Sequence, residues 1–175
     1  MDHKKWPLIM MILFLTLLTS SSISRGMSIS DEHKSLQGLQ GLYVVIRTLP
    51  TGMQEKGLTQ DQILTDVESQ LRLAGIKVVS KEEVFSIPGQ PWLSVDVRGG
   101  VQPNGLDSWT ILVELHQLVN LSRAPEIKDI FAVTWSAGSY GTVGQHNLGT
   151  IRTEIKGIVD AFITDFLSVN PKGVK

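Results

Sequence analysis

The amino-acid sequence predicts an α+β fold, a two-layer sandwich in which a mixed sheet of four to five strands carries two amphipathic helices on one face. Residues 59–74 and 147–169 place apolar side chains at helical spacing. Residues 42–49 and 76–79 are rich in β-branched residues and flank the first helix. Three later segments alternate apolar and polar side chains with the period of a strand: residues 92–98, 109–119 and 130–137. The predicted order is β-α-β-β-β-α, with one more strand if the first two both join the later meander.

The N-terminal residues have the three parts of a secretory signal peptide. Lys4 and Lys5 form its positive start, residues 8–18 its apolar centre, and residues 19–26 its serine-rich end. The apolar run is about half of the ~20 residues that a membrane-spanning helix needs. Three cleavage positions fit: after Ser22, after Ser24 or after Gly26. The sequence therefore predicts a signal peptide over residues 1–26 and a periplasmic or secreted protein; an uncleaved N-terminal anchor is the alternative.

Charge and cysteine content exclude several classes of function. Without residues 1–26 the chain keeps 13 basic and 16 acidic side chains, a net charge of −3. A mildly acidic domain lacks the basic surface that binds nucleic acid or anionic lipid, so membrane contact is expected only through the signal peptide during export. The chain has no cysteine, which excludes disulfides, thiol catalysis, thiolate metal sites and lipid attachment to cysteine. A soluble exported protein is therefore favoured over a lipoprotein.

The remaining residues are predicted to form one domain over 42–170, preceded by a flexible leader or short helix over 27–41 and followed by a tail over 171–175. Residues 42–49 are almost continuously apolar, which favours a central strand covered on both faces. Thr59 and Gln62 form a capping-box pattern at the start of the first helix. The short connections on both sides of this helix favour a parallel strand pair with a right-handed crossover.

The later strands are expected to bury one face each. Three sets of residues define these faces: Leu93, Val95 and Val97; Trp109, Ile111, Val113 and Leu115; Phe131, Val133 and Trp135. Residues 99–108 indicate a hairpin loop, and the glycine-rich residues 138–144 indicate a second loop. The last helix has a broad apolar stripe: Leu148, Ile151, Ile155, Ile158, Val159, Phe162, Ile163, Phe166 and Leu167.

Four residues form a possible binding face on the polar side of the predicted sheet: Trp92, Asp96, Glu114 and His116. Carboxylates beside a histidine can perform acid–base chemistry or bind a metal, but both need a cleft. A solvated polar sheet face explains these residues without such a site. No catalytic residue, metal ligand or cofactor site is therefore assigned.

The other candidate motifs are equally weak. Residues 138–144 match neither the dinucleotide-binding fingerprint nor the Walker pattern, and no serine lies in a Gly-x-Ser-x-Gly elbow. The remaining histidines of the mature chain, His33 and His146, have no marked serine partner. The expected cofactor requirement is none.

Residues 57–59, residues 67–78 and Thr134-Trp135 resemble segments of uncharacterised exported bacterial proteins of similar length. The run Leu-Arg-x-Ala-Gly-Ile-x-Val at residues 71–78 is also similar to the small α/β domains of envelope assembly factors, such as the N-terminal domain of TolB and the CsgG type. That resemblance implies a helix that leads into a strand of a small mixed sheet. The chain lacks the propeller and the lipid-bearing cysteine of those families, and no functional residue carries over.

Three functions remain open, in descending order. The first is a non-enzymatic exported protein that binds another macromolecule, an unknown envelope protein, or a second copy of itself through the uncovered sheet face. The second is a small-molecule or lipid carrier with a pocket between helices and sheet. The third is a hydrolase, which would need a cleft that holds His116 or His146 against a serine.

Overall fold

The computed structural model describes residues 30–101, 106–144 and 148–171. The predicted signal peptide and His146 lie outside these ranges. The described residues form the following elements in chain order: α1 (Asp31–Lys34), β1 (Tyr43–Ile46), α2 (Thr51–Glu55), α3 (Gln60–Leu73), a 3-10 helix (Glu83–Ser86), β2 (Trp92–Val101), β3 (Leu106–Val119), β4 (Ile130–Gly144) and α4 (Gly149–Val169).

The sheet contains four strands in the order β1-β2-β3-β4. β1 runs parallel to β2, and the other two pairs are antiparallel, so the sheet is mixed. The long helices α3 and α4 contact each other, and both pack against the sheet. Their apolar stripes meet the buried residues of the strands, among them Leu93, Ile111 and Leu115. The structure confirms the predicted α+β two-layer sandwich.

Local sequence determines where α3 begins and ends. The Thr59 side chain accepts a hydrogen bond from the Gln62 backbone at 3.2 Å, and the Gln62 side chain accepts one from the Thr59 backbone at 3.3 Å. This reciprocal pair confirms the predicted capping box. Gly75 follows the helix with a φ of +85°, the left-handed conformation that glycine adopts readily at helix ends.

The residues before β1 pack against the domain. The structure forms the short helix α1 within residues 27–41, and Leu36 just beyond it is fully buried. His33 Nε2 lies 3.2 Å from one carboxylate oxygen of Asp165 on α4, and Trp135 donates its indole N–H to the other at 2.9 Å. Asp165 therefore links α1 and β4 to α4.

The predicted strand at residues 76–79 is wrong in extent. It is reduced to one parallel bridge between Leu42 and Val78. Ser80 and Glu83 exchange backbone and side-chain hydrogen bonds at 2.8 and 3.2 Å, and this capping pair turns the chain into the 3-10 helix. β1 is consequently the first strand of the sheet, not the predicted central one, and its parallel partner is β2.

The predicted loop at residues 138–144 is also wrong, because β4 continues to Gly144. Gly141 lies opposite Trp109, and a Cβ atom at Gly141 would come within 2.7 Å of the indole ring. The glycine is therefore present to admit the tryptophan, not to form a turn. The predicted hairpin loop at residues 99–108 is shorter than expected, since β2 reaches Val101 and β3 starts at Leu106.

The prediction that Phe131 and Val133 are buried is wrong. Trp135 pairs with Leu115 but Val133 pairs with His116, so Thr134 is an extra residue that forms a β-bulge. The bulge reverses the alternation along β4: Trp135 is buried against the helices, whereas Phe131 and Val133 project from the opposite side of the sheet. This reversal adds apolar side chains to the uncovered face.

Candidate functional site

The side of the sheet opposite α3 and α4 has no second layer of long helices among the described residues, and it is called the open face below. Five β2–β3 register pairs lie on it, and Trp92–His116 is the pair with aromatic rings on both strands. Trp92 and His116 are direct cross-strand neighbours, and their rings stack with centroids 3.9 Å apart and planes within 4°. Stacking on this scale fixes the orientation of the indole on the sheet surface.

Two further side chains complete the surroundings of Trp92. The guanidinium carbon of Arg47, just after β1, lies 5.8 Å from the centre of the indole ring, within the range of a cation–π contact. Phe131 of β4 meets the indole edge-on, with centroids 6.4 Å apart and an angle of 72°. Trp92 is therefore held between a cation, an imidazole and a phenyl ring.

A groove of about 330 Å³ lies on the open face beside Trp92 and is called the aromatic groove here. Its lining is mainly apolar, with basic groups at the margin: Tyr43, Val45, Arg47, Lys81, Val84, Phe85, Gln90, Trp92 and Phe131. Phe85 on the 3-10 helix is 63% exposed, and Phe131 is 53% exposed. Because large aromatic side chains are exposed around this one groove, it is the candidate site of the described residues.

His116 contacts a hydroxyl and a carboxylate with the same ring nitrogen. Its Nε2 atom lies 3.2 Å from Ser94 Oγ and 3.5 Å from Glu114 Oε2. A serine–histidine–acid triad needs the serine on one ring nitrogen and the acid on the other. Ser94 is also fully buried, so its hydroxyl is closed to a substrate. The trio braces the imidazole beneath Trp92 and does not have the geometry of a nucleophilic site.

Burial lowers the pKa of His116 below the ordinary histidine value of 6.5, and the charge of Arg47 acts in the same direction against the opposing effect of Glu114. The imidazole is therefore neutral near pH 7. A neutral ring keeps the stack with Trp92 free of a positive charge next to Arg47.

The structure brings three of the four predicted face residues together and separates the fourth. Trp92, Glu114 and His116 form one contiguous group. Asp96 lies one row away and accepts two hydrogen bonds from Arg98, at 2.9 and 2.6 Å. Within the described ranges no group of three or more histidine and acidic side chains is placed to hold a metal ion.

Of the groove residues, sequence reasoning assigned only Trp92 to a candidate site. Three of the residues it missed are central to the proposed binding: Arg47, Phe85 and Phe131. Phe131 was assigned to the core because the bulge at Thr134 leaves no mark in the apolar alternation. The Ser80–Glu83 capping pair was a usable signal for the turn that presents Phe85. Arg47 needed the β1–β2 pairing, which the predicted strand at residues 76–79 obscured.

Comparisons with known proteins give a partial match in fold. No family model and no curated protein matches the chain. A PelC dodecamer from Paraburkholderia phytofirmans is similar in structure, with 16% identity, a TM-score of 0.41 and coverage of 70% of this chain and 87% of that chain. A minor lipoprotein from Acinetobacter baumannii is similar with 11% identity, a TM-score of 0.37 and coverage of 79% and 99%. Similarity at this level carries no conclusion about what the chain binds.

The helices of the described ranges fall short of the combined length and hydrophobicity that a membrane-spanning helix requires.

Proposed function

We propose that this chain is an exported binding protein whose open face holds a segment of another protein in the aromatic groove. One observation carries the proposal: Phe85 and Phe131 are both exposed and both line the groove beside Trp92, on the sheet face opposite α3 and α4. The partner segment presents an apolar or aromatic side chain next to a carboxylate.

The apolar requirement follows from the groove lining. When a partner covers exposed aromatic rings, the complex is stabilised by roughly 25 cal/mol for each Å² of apolar surface removed from water. Tryptophan, tyrosine and arginine dominate the binding energy of protein interfaces, and Tyr43, Arg47 and Trp92 all line this groove. A partner side chain that fills the groove removes the two exposed phenyl rings from water.

The carboxylate requirement follows from charge. Arg47 and Lys81 are the basic groups of the lining, and both are exposed. Asp96 is paired with Arg98, and neither Asp96 nor Glu114 is part of the groove lining. An incoming carboxylate therefore meets positive charge at the margin, which favours its orientation over a neutral or basic segment.

The groove is arranged before the partner arrives. Trp92 is stacked on His116, and His116 is held in turn by Ser94 and Glu114. Side chains already fixed in the binding conformation lose little entropy on association, so less of the interaction energy is spent on ordering. The Ser94–His116–Glu114 group then has a supporting role in binding instead of a chemical one.

Selection from a random peptide display library tests this proposal with a defined probe. We expect enrichment of peptides that carry an aromatic or aliphatic residue beside aspartate or glutamate. Trp92→Ala and Phe131→Ala should abolish binding of the selected peptides, because each removes part of the apolar contact. Arg47→Glu should reverse the charge preference toward lysine or arginine.

Leu73→Ala is the matched control for these variants. Leu73 is 88% exposed but lies at the end of α3, away from the open face, so its loss should leave peptide binding unchanged. Failure to enrich any sequence pattern, or binding that survives Trp92→Ala, would refute the proposal.

A small amphipathic anion is the second candidate ligand. The groove volume of about 330 Å³ falls in the range of small-molecule pockets. The carrier pocket expected between helices and sheet is not supported, because fully buried side chains such as Leu115, Ile151 and Phe162 occupy that layer. A thermal-shift series with aromatic carboxylates distinguishes this candidate: stabilisation that Arg47→Glu removes would favour it over a protein segment.

A further inference from the structure

A different surface points to a second copy of this chain. We infer that the outer edge of β4 pairs antiparallel with β4 of another copy, which joins two four-stranded sheets into one continuous sheet. This inference is independent of the aromatic groove. It rests on the backbone groups and the composition of residues 136–144, at the β4 edge of the sheet.

β4 is the last strand of the sheet and its longest, with 15 residues. An edge strand directs alternate backbone N–H and C=O groups away from the sheet, where another strand can meet them. Among the described residues, Ser35 Oγ donates to the Thr134 carbonyl at 3.0 Å, at the bulge near the start of β4. Residues 136–144 pair with β3 on one side. Among the described residues, no backbone hydrogen bond joins their other side to a strand or helix.

β4 also lacks the features that prevent edge pairing. Proteins protect edge strands with charged residues, proline or bulges. Residues 130–144 contain no charged residue and no proline, and the bulge at Thr134 lies before the straight part of the strand. Nothing in residues 136–144 therefore opposes the approach of another strand.

The same composition favours an identical partner. In an antiparallel pair, β4 of one molecule lies beside β4 of the second molecule. A charged residue near the twofold axis would then lie close to the same residue of the second molecule. An uncharged strand avoids this repulsion, and a twofold pair closes without forming a fibre. The opposite edge, β1, has four residues and is flanked by the Leu42–Val78 bridge, so it cannot supply an equally long partner.

Tyr140 gains a role in this arrangement. It projects from the open face of β4 with 85% of its surface exposed, and its direct neighbour on β3 is the small Thr110. A second β4 would place cross-strand neighbours on the other side of Tyr140 and cover part of its ring. Aromatic cross-strand contacts of this kind stabilise paired strands.

Light scattering after size-exclusion chromatography of the full-length chain, at several concentrations, is the first test. We expect the mass of a dimer for the wild-type chain. The double variant Tyr140→Lys/Thr142→Lys should have half that mass, because it introduces like charges along both strands of the seam. Both residues are exposed, so the double variant is expected to fold.

Leu73→Lys is the matched control and should remain a dimer, because it adds a lysine at an equally exposed site on α3. Trp92→Ala should also remain a dimer, which separates this inference from the groove. A wild-type monomer at every concentration, or a dimer that the double lysine variant leaves intact, would overturn the inference.

Cysteine cross-linking gives an independent test, since the chain has no cysteine of its own. Three variants would each carry a single cysteine, at position 136, 140 or 142. At least one of them should form a disulfide-linked dimer on mild oxidation, because antiparallel pairing brings positions near the twofold axis together. Leu73→Cys should not. Equal cross-linking at position 73 would show random collision and contradict the paired strands.

Discussion

Trp109 and Trp135 are both buried core tryptophans, but only one has a partner for its indole N–H. Trp135 donates to Asp165 at 2.9 Å, whereas the N–H of Trp109 has no hydrogen-bond partner in the described structure. A hydrogen bond to a charged acceptor stabilises a fold by about 1.5–3 kcal/mol, while a buried unpaired donor only costs free energy. The two tryptophans therefore contribute differently at similar burial.

We accordingly expect Trp135→Phe to destabilise the protein by about 1–3 kcal/mol more than Trp109→Phe. Both substitutions remove similar apolar area, so the difference reports the lost hydrogen bond to Asp165 together with the removal of the unpaired Trp109 donor. Urea unfolding of the two variants measures it. Equal losses in the free energy of unfolding would show that the Trp135–Asp165 bond contributes nothing.

His116 makes stability depend on pH. Burial lowers its pKa in the folded state below the ordinary value of 6.5, so the unfolded chain binds this proton more readily. The stability contribution is therefore present above pH 6.5 and is lost as the pH falls through 6.5 toward the folded-state pKa. A His116→Gln variant, which cannot titrate, should lose less stability than the wild type over that interval.

Unfolding free energies measured from neutral pH down to mildly acidic pH for both proteins test this expectation. The difference between the two curves isolates His116 from His33 and from the acidic residues. A wild-type curve that runs parallel to the variant curve would contradict the lowered pKa.

At the level of elements, the glycines of β4 and α4 have opposite roles. A Cβ atom at Gly141 would meet the Trp109 ring at 2.7 Å, whereas one at Gly157 in α4 would have no neighbour within 4 Å. Gly141→Ala should therefore overpack the core and cost about 1–3 kcal/mol. Gly157→Ala should stabilise the protein by about 0.5–1 kcal/mol, because alanine favours a helix interior.

Thermal or urea unfolding measures the change in the free energy of unfolding for both variants. The chemical change, glycine to alanine, is the same in each. A neutral Gly141→Ala would show that β4 does not approach Trp109 closely, and would favour the loop that the sequence suggested for residues 138–144.

The elements that sequence analysis predicted well are those with local signals. Thr59 and Gln62 mark the start of α3, and the alternation in residues 93–97 assigns the faces of β2. The errors occur where tertiary contacts decide the outcome. The glycines of residues 138–144 suggest a turn until Trp109 is placed opposite Gly141, and the bulge at Thr134 has no local signature.

The candidate site divides in the same way. The shared strand face of Glu114 and His116 follows from the strand period, which the sequence supplies. The pairing of Trp92 with His116 depends on the length of the β2–β3 loop, which was predicted too long. The groove itself depends on how distant parts of the chain meet: β1 beside β2, the 3-10 helix above them, and Phe131 reversed by the bulge. The apolar alternation within one segment does not reveal these contacts between distant segments.

At the level of the whole molecule, the helices and the sheet have separate roles. α3 and α4 bury one side of the sheet and supply the core, which leaves the open face and the β4 edge for contact with other chains. Because the groove and residues 136–144 of the β4 edge lie at different places on the sheet, we propose that one molecule holds a partner segment and pairs with a second copy at once. We propose that binding through the open face is the function of this fold.

Site-specific photo-cross-linking in cells tests this claim most directly. The full-length chain would carry a photoreactive amino acid at position 85 or 131 beside the groove, or at position 73 on α3 as the control. We predict a discrete covalent adduct with another protein from positions 85 and 131, weakened by Arg47→Glu and absent from position 73. No adduct from the groove positions, or the same adduct from position 73, would contradict the account.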